Sequence, residues 1–392
     1  IRNRGRLSST DQHFLHPLFD LSPSKAQTPP VMKREGADAA APAAKKAKAS
    51  GDEDKKAFLT FYKELVAELI EAEKQSGQMS YAVDWLQRMT DYNVPHGKLN
   101  RGLAVLDGVR AIKGDACTPE LEKQAMVAGW AIEWLQAFFL VADDIMDASK
   151  TRRGQPCWYL VEDVGMNAVN DGIVLEACMY KMLKKHLGKL PCYANILELF
   201  HDVTYATANG QMIDVITAPI GVVDLSKYTI ETYMRIVTYK TALYTFYLPA
   251  ASAMYLCGID GEEEHALAKD ICIQLGQYFQ IQDDFLDCFG DPKVIGKIGT
   301  DIEDNKCSWL IVQALDRATP EQRQVFQDNY GQSDEAKVEK IKEVYRALDM
   351  PKIFSDYEEA SYKKLSATIE GQDKLPKGLF SAMLQKIYKR SK

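Results

Sequence analysis

The chain is short of the groups on which hydrolytic and redox chemistry usually depends. Its eight cysteines are scattered between Cys117 and Cys307 without a CxxC pair, and its six histidines form no cluster. That spacing argues against a disulfide framework and a structural zinc site, leaving reduced thiols as the simplest state. No Gly-x-Ser-x-Gly turn is present, so a serine-hydrolase triad has no support. Positive charge is scarce as well. Of 48 Lys/Arg and 55 Asp/Glu, residues 1–56 hold 11 and 7, so the remaining 336 residues carry a net charge of −11. A body of that sign does not hold nucleic acid through bulk charge. An anionic ligand would need local basic groups or metal ions to enter it.

Alternating strand patterns are nearly absent, and so are long Leu/Ile/Val/Phe blocks. One uncharged run, "TALYTFYLPAASAMYLCGI" at 241–259, reaches the length of a membrane span. It carries three tyrosines and has Pro249 in mid-run. It therefore reads as a buried core helix kinked at the proline, and no transmembrane segment is expected.

What the sequence does have is helical periodicity. "FLTFYKELVAELIEAEK", "LEKQAMVAGWAIEWLQAFFLVADDIMD", "NDGIVLEACMYKMLKKHLGK" and "AKDICIQLGQYFQIQDDFLDCF" space apolar residues by three and four, as amphipathic helices do. Gly and Pro cluster between such stretches, at 94–97, 188–191, 219–221 and 290–296, where turns are expected. The class is all-α, one large helical bundle over residues 55–392. Residues 1–54 are rich in Ala, Lys, Pro and Ser, a composition that favours a disordered tail. Cytoplasmic residence is the expectation, with Met32 as a conceivable internal start. The alternative is mitochondrial, if the basic "IRNRGRLSST" belongs to a transit peptide, although Asp11 and Asp20 fit that poorly.

An internal repeat carries the chemistry. "FFLVADDIMD" at 138–147 and "YFQIQDDFLD" at 278–287 share one register: aromatic, Phe, x, aliphatic, x, Asp, Asp, x, x, Asp. On a helix, Asp143 and Asp147 fall about 40° apart with Asp144 to one side. An isolated acidic sector is usually solvated surface. Here the flanks are apolar and the motif recurs as Asp283, Asp284 and Asp287. Six carboxylates in an apolar setting need cations. Magnesium takes one or two carboxylates and completes its shell with water and phosphate, so a phosphate-bearing ligand belongs with it. Arg152 and Arg153 follow the first motif, and Lys297 and Lys306 the second. An arginine fork suits phosphate oxygens.

The DDIMD followed by TRRGQPCW, "YKTALYTFYLP" at 239–249 and "FQIQDDFLDCFGDPKVIGKIGTDIEDNKCSWL" at 279–310 resemble the trans-prenyl diphosphate synthases. Within that family they are most similar to the eukaryotic farnesyl diphosphate branch. The resemblance extends from about Phe58 to the basic "YKRSK" terminus. It implies the isoprenoid synthase fold, about ten core helices around a central cavity, and typically a homodimer. It also implies head-to-tail condensation of isopentenyl diphosphate with dimethylallyl diphosphate and then geranyl diphosphate. Asp143, Asp144, Asp147, Asp283, Asp284 and Asp287 would hold three Mg2+ ions, for which Mn2+ could substitute, on the allylic diphosphate. Arg152, Lys240, Lys297 and Lys306 would contact that diphosphate. Thr241, Gln280, Tyr244 and the Lys240 carbonyl would steady the allylic cation. Lys98, Arg101, Gln136 and Arg153 would bind isopentenyl diphosphate.

By the same resemblance Phe138 and Phe139, about one turn or ~6 Å below Asp143, would floor the cavity and stop growth at fifteen carbons. Lys389, Arg390 and Lys392 would close over the site. Two departures stand out: His96 where the family has the first Gly of a Gly-Gly-Lys segment, and Ser391 where it usually has Arg. A geranylgeranyl-type synthase and a non-catalytic prenyltransferase-like partner subunit remain as alternatives. A terpene cyclase fits less well, because it would carry a single DDxxD.

Overall fold

The computed structural model describes residues 40–291, 294 and 299–390. Residues 51–392 form one compact unit. Helices α1 (Ala40–Gln75), α2 (Ser80–Asn93) and α3 (Asn100–Lys113) lead into the long α4 (Pro119–Met146). The start of α4 is written locally. Thr118 accepts the Leu121 N–H, Pro119 takes the first turn where its missing donor costs nothing, and Glu120 and Glu122 face the positive helix end. Helices α5 (Asn167–Leu187) and α6 (Tyr193–Thr217) follow. The helices before the Gly/Pro clusters end at Asn93, Leu187, Thr217 and Phe289, one or two residues ahead of where the sequence places the turns.

The next stretch departs from simple helix. α7 (Ile230–Ile236) continues without a break into a π-helical segment, Val237–Tyr247, and then into α8 (Leu248–Leu256). The Leu248 N–H reaches back five residues to the Leu243 carbonyl. The uncharged run is a buried core helix, as read, but its irregularity precedes Pro249 rather than lying at it. The proline sits in the first turn of α8, where a missing donor is tolerated. π segments are rare and concentrate at functional sites.

The bundle is completed by α9 (Glu262–Phe289), α10 (Trp309–Arg317), α11 (Pro320–Asn329), α12 (Glu335–Ala347), α13 (Met350–Gly371) and α14 (Gly378–Ile387). The strands among the described residues are one hairpin, β1 (Thr151–Arg152) against β2 (Gln155–Pro156). Its two turn residues, Arg153 and Gly154, both have positive φ, 54° and 78°, the geometry of a tight two-residue turn.

α4 is the central post, packed on α3, α5 and α8. Trp130 is fully buried, stacks on Phe58 at 4.3 Å and donates its indole N–H to the Phe58 carbonyl. Among the described residues α4 alone is long and apolar enough to cross a membrane. Its most apolar window is 72% buried, which is what a core helix requires. Two glycines bring the π segment close to its neighbours. A Cβ on Gly210 of α6 would lie 2.2 Å from the Lys240 nitrogen, and one on Gly276 of α9 would lie 2.2 Å from the Ala242 Cβ. No other residue permits either approach, so α6, α9 and the π segment meet backbone to backbone.

Candidate active site

Both acidic motifs lie at the C-terminal ends of long helices. Asp143 and Asp144 close α4 with Asp147 as its C-cap, and Asp283, Asp284 and Asp287 occupy the last two turns of α9. A helix C-terminus already carries partial negative charge. Carboxylates there are electrostatically costly unless cations answer them, so the site is preset to attract positive charge.

In the structure, side chains supply that charge. Arg152 on the hairpin donates to Asp144 from Nε at 2.9 Å and reaches Asp143 at 3.4 Å. Lys240 donates to Asp143 at 3.1 Å, and Lys306 to Asp147 at 2.7 Å. Both ammoniums also share Asp214 of α6, at 2.6 Å and 3.4 Å. Burial works against the charge of Asp143 and Asp214, yet Lys240 and Lys306 outweigh it and hold both pKa values below the ordinary carboxylate range. Asp147 goes the other way, raised by burial and by Asp143 in spite of Lys306.

The second motif draws on other partners. Asp284 is buried and accepts the Trp309 N–H at the start of α10 at 2.7 Å and the Gln280 amide at 2.9 Å. Desolvation still raises its pKa to about 7. Asp283 pairs with Arg390 at 3.1 Å, and Asp287 accepts the Asp301 N–H at 3.0 Å. The π segment bridges the two motifs through adjacent residues. Lys240 reaches Asp143, while the Thr241 hydroxyl donates to Gln280 at 3.1 Å, and Gln280 in turn donates to Asp284.

Below the acids, Phe138 and Phe139 lie 4.8 Å apart between ring centres, with Phe139 6.2 Å from the ring of Tyr244. Tyr244 accepts from Arg101 Nη2 at 2.8 Å. Gln136 and Arg101 stand together at this level, whereas Arg153 takes partners different from those of Arg152. Its guanidinium lies against Gly97, and its Nη1 approaches the Asn93 carbonyl at 3.4 Å. A side chain on residue 97 would meet that guanidinium at 3.1 Å, and the backbone there has φ of 98°. The conformation that demands glycine therefore belongs to Gly97. His96 turns its ring back to within 2.9 Å of the Asp91 carbonyl, and the loop absorbs it.

Lys98 lies in the same loop, just before α3. Of the basic tail, Arg390 reaches the site. Besides Asp283 it contacts the Phe279 carbonyl at 3.1 Å and covers the Phe279 ring at 4.0 Å. Lys389 does not reach it and instead pairs with Glu359 on α13 at 2.7 Å. Lys297 and Lys392 lie outside the described residues.

Two acids in the site carry no motif. Asp214 stands alone in "GQMIDV" and Glu133 alone in "AIEWLQ", each a single charge in a locally uncharged stretch of its helix. The only available signal was that a lone acid there must be paired when buried.

The donor set fits magnesium brought in with a diphosphate. All donors are hard oxygens, suited to that ion. Among the described residues no group of three or more acidic, His or Cys side chains is gathered to hold a metal by itself. A magnesium ion held there would complete its shell with phosphate and water.

Residues 83–348 match the model of the polyprenyl synthetase family. The chain belongs to that family. It is 51% identical to farnesyl pyrophosphate synthase of Gallus gallus over 343 residues, covering 87% of this chain and 94% of that one. Against farnesyl pyrophosphate synthase of Homo sapiens the identity is 50% over 345 residues, 87% and 82% of the two chains. Among solved structures, T. brucei farnesyl diphosphate synthase complexed with risedronate superposes with a TM-score of 0.79 at 34% identity, covering 86% of this chain and 100% of that one. The isoprenoid synthase fold expected from sequence is therefore the fold observed.

Proposed function

We propose that this polyprenyl synthetase is a farnesyl diphosphate synthase, adding isopentenyl diphosphate to dimethylallyl diphosphate and then to geranyl diphosphate. One observation carries the reading: two carboxylate motifs bridged by Lys240 and Thr241, with a paired aromatic floor one turn below on the same helix as the first motif. The acids and ammoniums suit a metal-bound diphosphate, and the rings suit the hydrocarbon attached to it.

Asp143, Asp144, Asp147, Asp283, Asp284 and Asp287 would hold magnesium, three ions by the family resemblance. When bound, magnesium supplies positive charge that weakens the bond to the leaving pyrophosphate. Lys240, Lys306 and Arg152 turn from the first motif onto the diphosphate oxygens, and Lys297 joins them. The allylic carbon–oxygen bond breaks with its electron pair leaving on pyrophosphate. The Thr241 hydroxyl, Gln280 amide oxygen, Tyr244 and the Lys240 carbonyl present negative dipole ends to the cation left behind. Lys98, Arg101, Gln136 and Arg153 hold isopentenyl diphosphate so that its double bond forms the new carbon–carbon bond. The proton then lost passes to pyrophosphate, so no side-chain base is required.

Exposed Val169 and Ile173 on α5, with Tyr205, Met212 and Ile216 on α6, form apolar area of the kind that a second copy would cover. A homodimer through this face is part of the proposal. The test is pyrophosphate release from geranyl diphosphate by the protein alone. Release that requires both isopentenyl diphosphate and magnesium supports the reading, whereas none under any combination returns it to the partner-subunit alternative.

A further inference from the structure

Helices α3 and α4 cross so closely that a Cβ on Gly129 would lie 2.4 Å from the Gly102 carbonyl oxygen. One turn further along α4, this crossing sets Glu133 against the first turn of α3. Glu133 is 3% exposed, and its Oε1 accepts the Gly102 N–H at 2.8 Å. The other oxygen faces Gln136. A carboxylate can only accept and a guanidinium can only donate, so the Gln136 amide between them has one satisfied orientation. Its nitrogen donates to Glu133 Oε2 at 3.0 Å, and its oxygen accepts from Arg101 Nη1 at 2.6 Å. Arg101 continues the chain, donating from Nε to the Thr245 hydroxyl at 3.1 Å and from Nη2 to Tyr244.

Three of the five guanidinium N–H groups are thus spent on fixed protein acceptors. The plane of Arg101 is set by its neighbours, and two N–H groups are left for an anion. Burial raises the pKa of Glu133, opposed by the Gly102 N–H and by Arg101 and Arg153. A carboxylate is kept here at a desolvation cost, which points to a task that an apolar residue could not perform.

We infer that Glu133 is a positioning residue: it fixes the Gln136 amide, and through it the Arg101 fork, for the diphosphate of the non-allylic substrate. The inference rests on the function proposed above and adds a residue to it. A glutamine at 133 breaks the sequence of matches. Its own amide must donate towards residue 136, Gln136 must flip to accept, and an N–H then faces the N–H of Arg101.

Calorimetric titration of isopentenyl diphosphate and, separately, of geranyl diphosphate with magnesium tests this. Glu133→Gln weakens isopentenyl diphosphate binding about tenfold, the worth of one charge-assisted hydrogen bond, and leaves geranyl diphosphate within about twofold. Thr245→Val, which removes the Nε acceptor without touching the buried carboxylate, shifts binding in the same direction. In an Arg101→Lys background Glu133→Gln adds less than about twofold, because residues acting through one partner are not additive. Unchanged isopentenyl diphosphate binding, equal weakening for both ligands, or full additivity with Arg101→Lys overturns the inference. A wild-type chain that binds isopentenyl diphosphate but forms no product overturns the function while leaving the Glu133 assignment to be decided by the same titrations. A wild-type chain that does not bind it overturns both.

Discussion

Asp214→Asn is the perturbation whose size follows most directly from the geometry. The Asp214 carboxylate is 7% exposed and takes ammonium hydrogen bonds from Lys240 at 2.6 Å and Lys306 at 3.4 Å. Removing one member of a buried ion pair costs about 3–5 kcal/mol, because the partner's charge is left uncompensated. Here each lysine keeps a second partner, Asp143 at 3.1 Å or Asp147 at 2.7 Å, so the expected loss is smaller, about 2–3 kcal/mol. At about 2 °C per kcal/mol for a chain of this size, the metal-free protein should melt roughly 5 °C lower. The pKa of Asp214 is lowered in the folded state, which fixes the sign of the pH dependence. Its contribution is fully present above the unfolded value of about 3.9 and is lost as pH falls through the folded value. The gap between wild type and variant should therefore hold from neutral pH down to about 4 and close below it. Both ammoniums, freed from Asp214, would settle on the first motif and compete with magnesium, so the concentration for half-maximal activity should rise. The assay is thermal unfolding with and without magnesium across this pH range. A melting point within about 1 °C of wild type at neutral pH would refute the reasoning.

Further outcomes follow from the same site. Phe139→Ala and Phe138→Ala open the floor below Asp143 and should yield products beyond fifteen carbons; chromatography showing only fifteen-carbon product in both would place the floor elsewhere. Asp284, raised to about 7 by burial, must lose its proton when a metal binds. Titrations of magnesium and a diphosphate in buffers of different ionisation enthalpy should show proton release at pH 6 and almost none at pH 9, and the absence of release at pH 6 would contradict this. Arg390→Ala removes a cation from Asp283, a pair half open to water (Asp283 side chain 43% exposed). Magnesium binding should tighten by about two- to fivefold, the scale of a partly exposed ion pair, and unchanged affinity would show that Arg390 does not compete.

The paired DDxxD motifs were legible because their chemistry needs particular residue types at a helical spacing, which no packing requirement imposes. Their basic companions were legible for the same reason. The turn positions were readable because Gly and Pro constrain the backbone locally. What escaped is set by tertiary contact. The π segment exists where α6 and α9 press Gly210 and Gly276 against it, and no local pattern in "VTYKTALYTFY" announces that register. The different partners of Arg152 and Arg153 follow from their places in the hairpin, one on β1 and the other in its turn, which the letters RRG do not by themselves separate. Glu133 and Asp214 are single acids whose meaning depends on which cation or amide the fold brings to them. Lys389 and Arg390 are adjacent in sequence, yet one meets Glu359 and the other Asp283.

The most direct measurement is the product made by the purified chain with magnesium, dimethylallyl diphosphate and excess isopentenyl diphosphate. After removal of phosphate, chromatography should show a single fifteen-carbon alcohol, with the ten-carbon intermediate passing through and no growth beyond it. A twenty-carbon product would contradict the aromatic floor, and no product at all would contradict the enzyme.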